Sequence, residues 1–587
     1  MTTASTSHFA APIVPIRWLN FDRPADLRTF PDQALPIAMQ CAVRDRQREM
    51  MHVMPEEMAS TVAEVSGTGE RLEERTVVTV VATGSTPTAR RLRVAIVVAD
   101  PWDCLVSAIA AHGLRWDVFL CDPSWSEAER AAVFAQVQPA MIVRDRPRAC
   151  PQPSDPSSPQ RNIPPAPGVT LECRIIDPKP VPFPNATPNR TPPETSPDRD
   201  PYWAIPTGGT SGRIRFACHT WQTLTASAIG VRDFFQRDRL NSFCCLPVFH
   251  VSGLAQVVRA IMSGGQLALS HPSALHREQN PHHIAPDRDL HNFWLSLVPT
   301  QLQRLIDCPA WLLWLQQFDV IFLGGAPAWG ELLATARSQG LRLAPTFGMT
   351  ETASQIATLH PADFLAGCTG CGQILPHARL NLAHPPDPDI ASSPNAIPDP
   401  EHQPSQSSQT PGLITIRARS LFLGYYDANL GAANPETAAM PWQSDDLGYF
   451  DADGSLQIVG RASQKVITGG ENVYPEEVEA AIRETGLVRD VAVIGLPDRE
   501  WGQSLAAVYV AWETPIQDEA QNNPDRRANH GTDCLVAQLR DRLAAKLARY
   551  KIPKHWLAID QLPRNDRGKL DRTTLAQRFT PDFPEPD

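Results

Sequence analysis

A segment rich in glycine, hydroxyl and arginine side chains offers the clearest chemistry in the sequence. Residues 206–216 read PTGGTSGRIRF. The backbone N–H groups of a glycine-rich turn can point inward toward phosphate oxygens, and Ser and Thr hydroxyls add further donors. Arg213 and Arg215 supply fixed positive charge. The segment therefore predicts a phosphate-binding loop.

Two other interpretations of this loop have to be weighed. A classical P-loop requires the pattern GxxxxGK[ST]. Here Gly208 is followed four residues later by Gly212 and then by Arg213, with no Lys–Ser/Thr pair, so this class of nucleotide site is excluded. An ordinary flexible turn remains open when the loop is considered alone.

The elements that must position the loop alternate between strands and helices. Apolar runs predict buried strands at 94–99, 116–121 and 140–145. A helix is predicted over 102–114, and a second one follows a capping box formed by Ser124 and Glu127. Further strands are predicted at 242–249, 266–270, 318–325 and 341–347. The βαβαβ order is typical of an α/β fold with a parallel sheet.

The chain divides into two predicted domains. Residues 1–460 form a large N-terminal domain, and residues 461–587 form a small α+β domain with a different pattern of elements. Segments rich in proline and polar residues cannot bury enough apolar surface to order themselves. We expect disordered insertions of this kind at 146–200, 384–411 and 517–533.

Composition sets further limits on partners and location. The 587 residues are 42% hydrophobic and 20% charged, as in globular proteins, and the net charge of −11 predicts no nucleic-acid partner. No apolar run approaches the roughly 18 residues of a membrane span, and the N-terminus lacks a basic segment followed by an apolar one. We therefore expect a cytoplasmic protein.

The CxxC pair Cys368 and Cys371 lacks further metal ligands at zinc-like spacing and is interpreted as structural.

A series of segments downstream of the loop resembles the adenylate-forming superfamily, which includes acyl- and aryl-CoA ligases. They appear in the family's order at 206–221, 246–254, 322–329, 345–355, 444–461, 467–479 and 562–572. The resemblance implies an α/β enzyme with a large N-terminal adenylate-forming domain and a small mobile C-terminal lid domain. It also implies ATP and Mg²⁺ as cofactors and coenzyme A as co-substrate.

For the glycine-rich loop, the resemblance implies contacts with the β- and γ-phosphates of ATP. The residues that inherit this role are Thr207, Gly209, Thr210, Ser211 and Gly212. The family usually writes SGTTGxPKG, whereas this chain has Gly208 for the first serine and Arg215 for the lysine. Arg215 is therefore interpreted as the substitute catalytic cation, with a planar guanidinium in place of an ammonium.

Other segments inherit contacts with the adenine, the α-phosphate and the metal ion. The backbone of Gly324, Gly325 and Ala326 is expected to pack on the adenine, which Phe347 flanks. In the segment FGMTE, Thr350 is expected near the α-phosphate and Glu351 is the implied Mg²⁺ ligand. Considered alone, Glu351 would only be an acidic residue near a helix start.

Later segments inherit the ribose contacts, the hinge and the catalytic lysine. Asp446 and Arg461 are the implied ribose ligands, and Asp445 adds a second carboxylate that the family pattern lacks. Ser463 occupies the hinge position between the domains. Lys569 matches the lysine that reaches the carboxylate and the α-phosphate during adenylation, although alone it would be one more surface lysine.

The acid is suggested by a narrower likeness. Segments 249–254 and 469–479, together with the variant loop, look most like ligases of the menaquinone and phylloquinone pathway that activate 2-succinylbenzoate. This keto acid carries a second carboxylate, which must be paired when buried. Arg259, on an apolar predicted helix, is the candidate partner, and His250 is a candidate for the acyl pocket. The alternatives are a surface arginine and a core histidine.

Two alternative functions remain open from the sequence. The first is a ligase for another aryl or medium-chain acid. The second is a nucleotide-binding protein that has lost catalysis, which the altered loop and Asp445 would permit. Retention of Glu351, Asp446, Arg461 and Lys569 argues against the second alternative.

Overall fold

The computed structural model describes most of the chain. The described residues are 17–20, 37–52, 92–145, 171–175, 199–208, 214–277, 281, 289–383, 410–438, 440–468, 471–498, 501–512, 524–564 and 570–579. The expected disordered insertions at 146–200 and 384–411 fall largely outside these ranges. The third expectation, disorder over 517–533, is wrong for residues 524–533, which begin a helix.

Twenty-five strands occur in the described residues. The first thirteen are β1 Arg17–Asn20, β2 Arg93–Val97, β3 Asp117–Leu120, β4 Met141–Asp145, β5 Leu171–Ile175, β6 Trp203–Gly208, β7 Ile214–His219, β8 Asn241–Cys244, β9 Gln266–Leu269, β10 Phe293–Leu297, β11 Val320–Leu323, β12 Leu343–Met349 and β13 Ser354–Thr358. The remainder are β14 Gln373–Ile374, β15 Ala378–Ala383, β16 Gly412–Ala418, β17 Tyr425–Asp427, β18 Ala432–Asn434, β19 Trp442–Phe450, β20 Leu456–Arg461, β21 Val466–Thr468, β22 Glu471–Val473, β23 Val488–Asp498, β24 Gly502–Ala511 and β25 His555–Ala558.

Thirteen α-helices occur in the same part of the chain. They are α1 Ile37–His52, α2 Pro101–Gly113, α3 Glu127–Val137, α4 Trp221–Phe235, α5 Val251–Ser263, α6 Ala274–Arg277, α7 Pro299–Ile306, α8 Pro309–Leu315, α9 Gly330–Ser338, α10 Pro361–Leu365, α11 Pro475–Arg483, α12 Pro524–Ala544 and α13 Arg572–Gln577. No helix among the described residues is both long and apolar enough to span a membrane.

The fold separates into two compact units. The first is formed within residues 1–296, 348–355 and 418–439, and the second within 297–347, 356–417 and 440–587. The sequence-based boundary divides the chain once, between residues 460 and 461, whereas each compact unit consists of several separate segments. That boundary therefore stays a prediction.

The first unit is built around an eight-stranded sheet in the order β18-β17-β7-β6-β3-β2-β4-β5. Strand β2 is parallel to both β3 and β4, and helices α2 and α3 connect them. The predicted βαβαβ unit is therefore confirmed. Apolar residues on both faces of these strands are buried, as expected for a parallel sheet covered by helices.

Local sequence explains where the two connecting helices begin. Asp100 accepts hydrogen bonds from the backbone of Trp102 and Asp103 and caps α2. The capping box of α3 consists of Ser126 and Glu129, so the predicted pair Ser124 and Glu127 is wrong by two residues. The backbone and hydroxyl of Ser124 instead donate to Asp122 in the turn that precedes the helix.

A second group of strands in the first unit has the order β1-β9-β8-β10. Strand β8 is parallel to β9 and to β10, while β1 joins β9 antiparallel. Helix α5 is almost wholly buried in the same hydrophobic core as α2. A charged side chain on α5 therefore lies in the interior of this unit.

The second unit contains the parallel pair β11 and β12, followed in the sheet by β13 and β14. A separate antiparallel sheet has the order β15-β16-β19-β20. Towards the C-terminus, β22-β21-β24-β23 form a further sheet, and β25 pairs parallel with β24. Helix α11 packs on this sheet through Val478 and Ile482, which are fully buried. This last part has the α+β character that the sequence predicts for its C-terminal region.

Candidate active site

Strands β6 and β7 form a hairpin that carries the predicted phosphate loop. They pair antiparallel up to Gly208 and Ile214, and Thr207 lies directly opposite Arg215. The remaining predicted loop residues, Gly209, Thr210, Ser211 and Gly212, lie outside the described residues. The hydroxyl of Thr207 and the guanidinium of Arg215 therefore lie on neighbouring strands at the base of the loop.

The side chain of Arg215 lies on an aromatic ring. Its guanidinium carbon is 4.1 Å from the centre of the Tyr425 ring. Strand β17 pairs with β7 through Tyr425 and Ala217, and side chains two residues apart on a strand share a face. Arg215 and Tyr425 are therefore diagonal neighbours on one face of the sheet, and the ring supports the cation.

The segment that contains Thr350 and Glu351 folds into a tight turn. Residues 350–352 form a single 3₁₀ turn, followed by Ala353 and Ser354 with φ of 54° and 116°. Positive φ at non-glycine residues carries a cost and is concentrated at functional sites. The Thr352 hydroxyl accepts from Met349 N–H at 3.1 Å, which helps to hold this conformation.

Glu351 is buried at the centre of this turn, with 6% of its surface exposed. The Tyr425 hydroxyl donates to its Oε1 at 2.6 Å, and Phe422 N–H donates to its backbone oxygen at 2.8 Å. Burial, followed by the charge of Glu351, raises the pKa of Tyr425 above its usual range. The phenol therefore stays protonated at neutral pH and remains a donor to the carboxylate.

His219, at the end of β7, holds the same turn from another side. Its Nε2 lies 2.7 Å from the Thr350 backbone oxygen, and its Nδ1 lies 3.0 Å from the Thr223 hydroxyl. Complete burial lowers the pKa of His219 to about 4. The ring is therefore neutral at pH 7, and Nε2–H must donate to the carbonyl while Nδ1 accepts.

Arg259 is buried in α5, with 3% of its surface exposed. The alternative of a surface arginine is therefore wrong. Its Nη2 donates to the Ser354 hydroxyl at 3.1 Å and to Oε1 of Gln355. Burial lowers the pKa of Arg259 to about 10, which leaves the guanidinium charged at pH 7. A buried positive charge thus lies directly against the residues that follow the Thr350–Glu351 turn.

His250 immediately precedes α5, and its Nε2 lies 3.7 Å from Oδ2 of Asp122. Both side chains are buried. Burial alone would raise the pKa of Asp122, but the nearby His250 ring and the hydrogen bonds from Ser124 hold it below its ordinary value. Asp122 follows the carboxyl end of β3, where ligand-contacting residues of parallel sheets are concentrated. The structure thus gives His250 an acidic neighbour that the sequence analysis did not identify.

In the second unit, the predicted adenine-contacting residues lie at the carboxyl ends of β11 and β12. A Cβ on Gly324 would lie 2.9 Å from Cγ2 of Thr346, and Gly325 has a φ of 80°. Both positions therefore favour glycine. Ala326 is exposed beside them, and Phe347 follows Thr346 within β12, two residues before the strand ends. The two predicted groups are brought to one edge of the strand pair.

The two predicted ribose ligands face each other across β19 and β20. Asp446 lies directly opposite Arg461, and Nε of Arg461 is 3.4 Å from Oδ1 of Asp446. The backbone N–H of Asp446 donates to the Ser444 hydroxyl at 3.1 Å. A carboxylate acceptor and a guanidinium donor thus form one polar pair on these two strands.

The extra carboxylate Asp445 is directed to the predicted hinge. Its Oδ1 accepts from the backbone N–H of Ser463 at 3.0 Å, and its Oδ2 accepts from the Ser463 hydroxyl. Asp445, the carboxylate that the family pattern lacks, therefore accepts two hydrogen bonds from Ser463. The two residues connect β19 to the turn that follows β20.

Lys569 lies outside the described residues, but the two ends of its segment are fixed. Arg564 and Leu570 form an isolated antiparallel bridge. Asp571 N–H donates to the Pro563 oxygen at 2.9 Å, and Arg572 donates to Glu479 at 2.9 Å. Residues 565–569 therefore connect two anchored positions that are adjacent in space.

The residues present fit a magnesium ion that is bound together with a nucleotide. Within the described ranges, no group of three or more His, Cys, Asp or Glu side chains could hold a metal ion. Mg²⁺ in nucleotide sites usually takes one or two carboxylates together with phosphate oxygens. The carboxylate of Glu351, which is buried and hydrogen-bonded to Tyr425, has the chemistry that such a site requires.

Comparisons with known proteins identify the family. A model described as AMP-binding enzyme matches residues 88–426, and one described as AMP-binding enzyme C-terminal domain matches residues 477–569. A 2-succinylbenzoate–CoA ligase of Listeria monocytogenes is 30% identical over 375 residues, which cover 64% of this chain and 69% of that protein.

Solved structures show the same fold. The o-succinylbenzoate CoA synthetase of Bacillus subtilis, in complex with its acyl-adenylate intermediate, superposes with a TM-score of 0.59 at 22% identity and covers 83% of this chain and 88% of that chain. The same Bacillus subtilis protein in complex with ATP and magnesium ion gives a TM-score of 0.58 at 21% identity, with 83% and 90% covered. Because one family model matches more than half of the sequence, this chain belongs to the family of AMP-binding, adenylate-forming enzymes.

Proposed function

We propose that this protein is an ATP-dependent acid–CoA ligase that activates 2-succinylbenzoate. In the first half-reaction, a carboxylate oxygen of the acid attacks the α-phosphorus of ATP and pyrophosphate leaves. In the second, the thiol sulfur of coenzyme A attacks the acyl carbon, the thiol proton is lost to solvent and AMP leaves. The product, 2-succinylbenzoyl-CoA, belongs to menaquinone or phylloquinone biosynthesis. The named relatives and the motif series support this assignment.

Nucleotide-contacting roles are proposed separately for residues of each unit. In the first unit, Thr207 and Arg215 would bind the β- and γ-phosphates, and Thr350 would contact the α-phosphate. In the second unit, Phe347 would flank the adenine and Asp446 would bind the ribose hydroxyls. The family resemblance supports each of these roles.

Metal and lysine charges complete the proposed chemistry. Glu351 would hold Mg²⁺, which supplies Lewis-acid stabilisation of charge on the phosphate oxygens when bound. Lys569 would place an ammonium near the reacting carboxylate and the α-phosphate, where negative charge develops during adenylation.

The position of Arg259 is the observation that carries the choice of acid. Its buried guanidinium contacts Ser354 and Gln355, next to the turn that bears Thr350 and Glu351. A guanidinium that is held in place and shielded from water attracts a carboxylate more strongly than an exposed one does. The aromatic carboxylate of 2-succinylbenzoate would be a suitable ligand for Arg259, while the succinyl carboxylate reacts with ATP.

An ATP–pyrophosphate exchange screen tests the proposal. The panel contains 2-succinylbenzoate, benzoate, other aryl acids and medium-chain acids, and the matched control is Glu351→Gln. We expect exchange with 2-succinylbenzoate that is lost in the control. Exchange only with another acid would mean that this other acid, and not 2-succinylbenzoate, is the substrate. Nucleotide binding without exchange for any acid would favour a protein that has lost catalysis.

A further inference from the structure

A single phenol connects two groups of the proposed phosphate and metal site. The Tyr425 ring lies 4.1 Å below the Arg215 guanidinium, and its hydroxyl donates to Glu351 at 2.6 Å. Neither the motif series nor the proposed mechanism uses Tyr425. Because the ring carries a cation on its face and a carboxylate at its edge, a movement of Tyr425 would displace both groups.

The backbone of Tyr425 is fixed on several sides. Strand β17 lies between β7 and β18, and Tyr425 N–H donates to the Thr437 hydroxyl at 2.8 Å. Gly424 has a φ of 130°, and a Cβ there would lie 2.0 Å from the Asn434 oxygen. The ring of Phe422 packs against that of Tyr425 edge to face, with ring centres 4.9 Å apart. The phenol is therefore held in one position before any ligand binds.

The hydrogen bond has a defined consequence for the carboxylate of Glu351. An ionised carboxylate offers about four lone-pair sites on two oxygens. The Tyr425 hydroxyl occupies one of these on Oε1 and restrains the rotation of the group. The remaining sites then vary less in direction, which favours a metal with strict octahedral geometry.

We propose that Tyr425 is a positioning residue for the metal–nucleotide complex, in which its hydroxyl orients Glu351 as a metal ligand and its ring supports Arg215 as a phosphate ligand. The inference rests on the proposed function, because that proposal assigns Glu351 to Mg²⁺ and Arg215 to phosphate. It extends the proposal by coupling the two groups through one side chain.

The test measures binding without catalysis. Calorimetry gives the affinity for α,β-methylene-ATP, which cannot release pyrophosphate, in Mg²⁺ and in EDTA. The ratio of the two affinities is the factor by which Mg²⁺ tightens nucleotide binding. In Tyr425→Phe the ring remains and the hydroxyl is lost, so we expect this factor to fall about tenfold or more, as for a lost hydrogen bond to a charged group. Binding in EDTA should stay unchanged, which also shows that the site is folded.

The neighbouring tyrosine provides a matched control. Tyr426 is in the same strand, and its hydroxyl accepts from Arg93 at 2.9 Å rather than contacting Glu351. Tyr426→Phe should leave the Mg²⁺ factor unchanged. In a Glu351→Gln background, Tyr425→Phe should have no further effect on this factor, because the two residues act as one unit.

A second pair of variants separates the ring from the hydroxyl. Tyr425→Leu removes both, so it should lower the Mg²⁺ factor as Tyr425→Phe does and also weaken binding in EDTA by about twofold to fivefold. Thr437→Val keeps every group of Tyr425 but removes the acceptor of its N–H, and it should lower the Mg²⁺ factor to a smaller extent.

Three results would overturn the inference. These are an unchanged Mg²⁺ factor in Tyr425→Phe, an equal loss in Tyr426→Phe, and an additive loss in the Glu351→Gln background. Since no acid is present, failure of the acid assignment in the exchange screen leaves these measurements intact. Absence of nucleotide binding by the unmodified protein would overturn the proposed function together with this inference.

Discussion

At the scale of single residues, Arg259 combines burial with a positive charge. Its guanidinium is almost fully buried, and two of its hydrogen bonds go to Ser354 and Gln355. Opposite charges attract each other more strongly where water is excluded. A carboxylate that enters the site with the substrate would therefore gain more from Arg259 than from an exposed arginine.

Replacing Arg259 tests this argument. Arg259→Ala should raise the KM for 2-succinylbenzoate about thirtyfold or more, because the second carboxylate would be buried without its partner. The KM for a monocarboxylate that the unmodified enzyme accepts should change much less. Initial rates of pyrophosphate release measure both values. Arg232→Ala, which removes an exposed arginine paired with Asp233 at 2.8 Å, is the matched control. Equal increases for both acids would contradict the assignment.

His219 gives a prediction about pH. Its pKa of about 4 in the folded protein lies below the ordinary value of 6.5. Between these values the unfolded chain binds the proton more strongly, so the free energy of unfolding falls as pH decreases from 6.5 to 4. The contribution of this one residue is about 3 kcal/mol over that interval.

Denaturant titrations at pH 7 and pH 4 measure the effect. The fall in unfolding free energy between the two pH values should be smaller by about 3 kcal/mol in His219→Gln than in the unmodified protein. His291→Gln, which replaces an exposed histidine, should behave like the unmodified protein. An identical pH dependence for His219→Gln and the unmodified protein would show that the buried ring is not responsible.

At the scale of elements, the pair Asp445 and Ser463 links β19 to the turn after β20. A carboxylate that accepts a backbone N–H makes one of the stronger protein hydrogen bonds. Hinges are short segments that absorb backbone rotation. Asp445 therefore restrains the position at which the family resemblance puts the hinge.

Loss of this restraint should appear as local opening. Asp445→Ala should increase the hydrogen-exchange rate of peptides that contain residues 461–466 by about tenfold, because the Ser463 amide loses its acceptor. ATP affinity should remain within about twofold, since Asp446 and Arg461 keep their pairing. Asp453→Ala, in the neighbouring turn, is the control and should not change exchange at 461–466. Unchanged exchange in Asp445→Ala would remove the argument for a restrained hinge.

The accuracy of the sequence-based predictions also differs between elements and sites. Apolar runs predicted β2, β3 and β4 because a buried parallel strand needs apolar side chains on both faces. The start of α3 was misplaced because Ser124 and Ser126 both precede an acidic residue at the spacing of a capping box. Local patterns of this kind predict an element more reliably than its first residue.

The residues around the site show a different limit. The motif series indicated Glu351 and Arg215, but not Tyr425 or His219. Tyr425 contacts a residue 74 positions away, and His219 contacts one 131 positions away. Such pairs depend on which strands become neighbours, and a single sequence carries no local signal of that. A tyrosine or histidine near a motif is therefore recognised only when the fold is known.

At the scale of the whole molecule, two half-reactions need different chemical groups at one reacting carboxyl. Adenylation develops negative charge on the carboxylate and the α-phosphate, whereas thioester formation requires the thiol of coenzyme A at the acyl carbon. An ammonium is a compact charge on a flexible side chain, which suits a group that serves one step only. Lys569 is the candidate for this role.

Separate assays of the two half-reactions test that division. Lys569→Ala should lower ATP–pyrophosphate exchange about a hundredfold or more, since it removes a preorganised charge from the transition state. Formation of 2-succinylbenzoyl-CoA from preformed acyl-adenylate should change less than about threefold, because the charge is not needed there. Lys546→Ala, which removes an exposed lysine paired with Glu484 at 3.0 Å, is the matched control. Equal losses in both half-reactions would mean that Lys569 supports the whole site rather than adenylation, and the division of labour would have to be assigned to other residues.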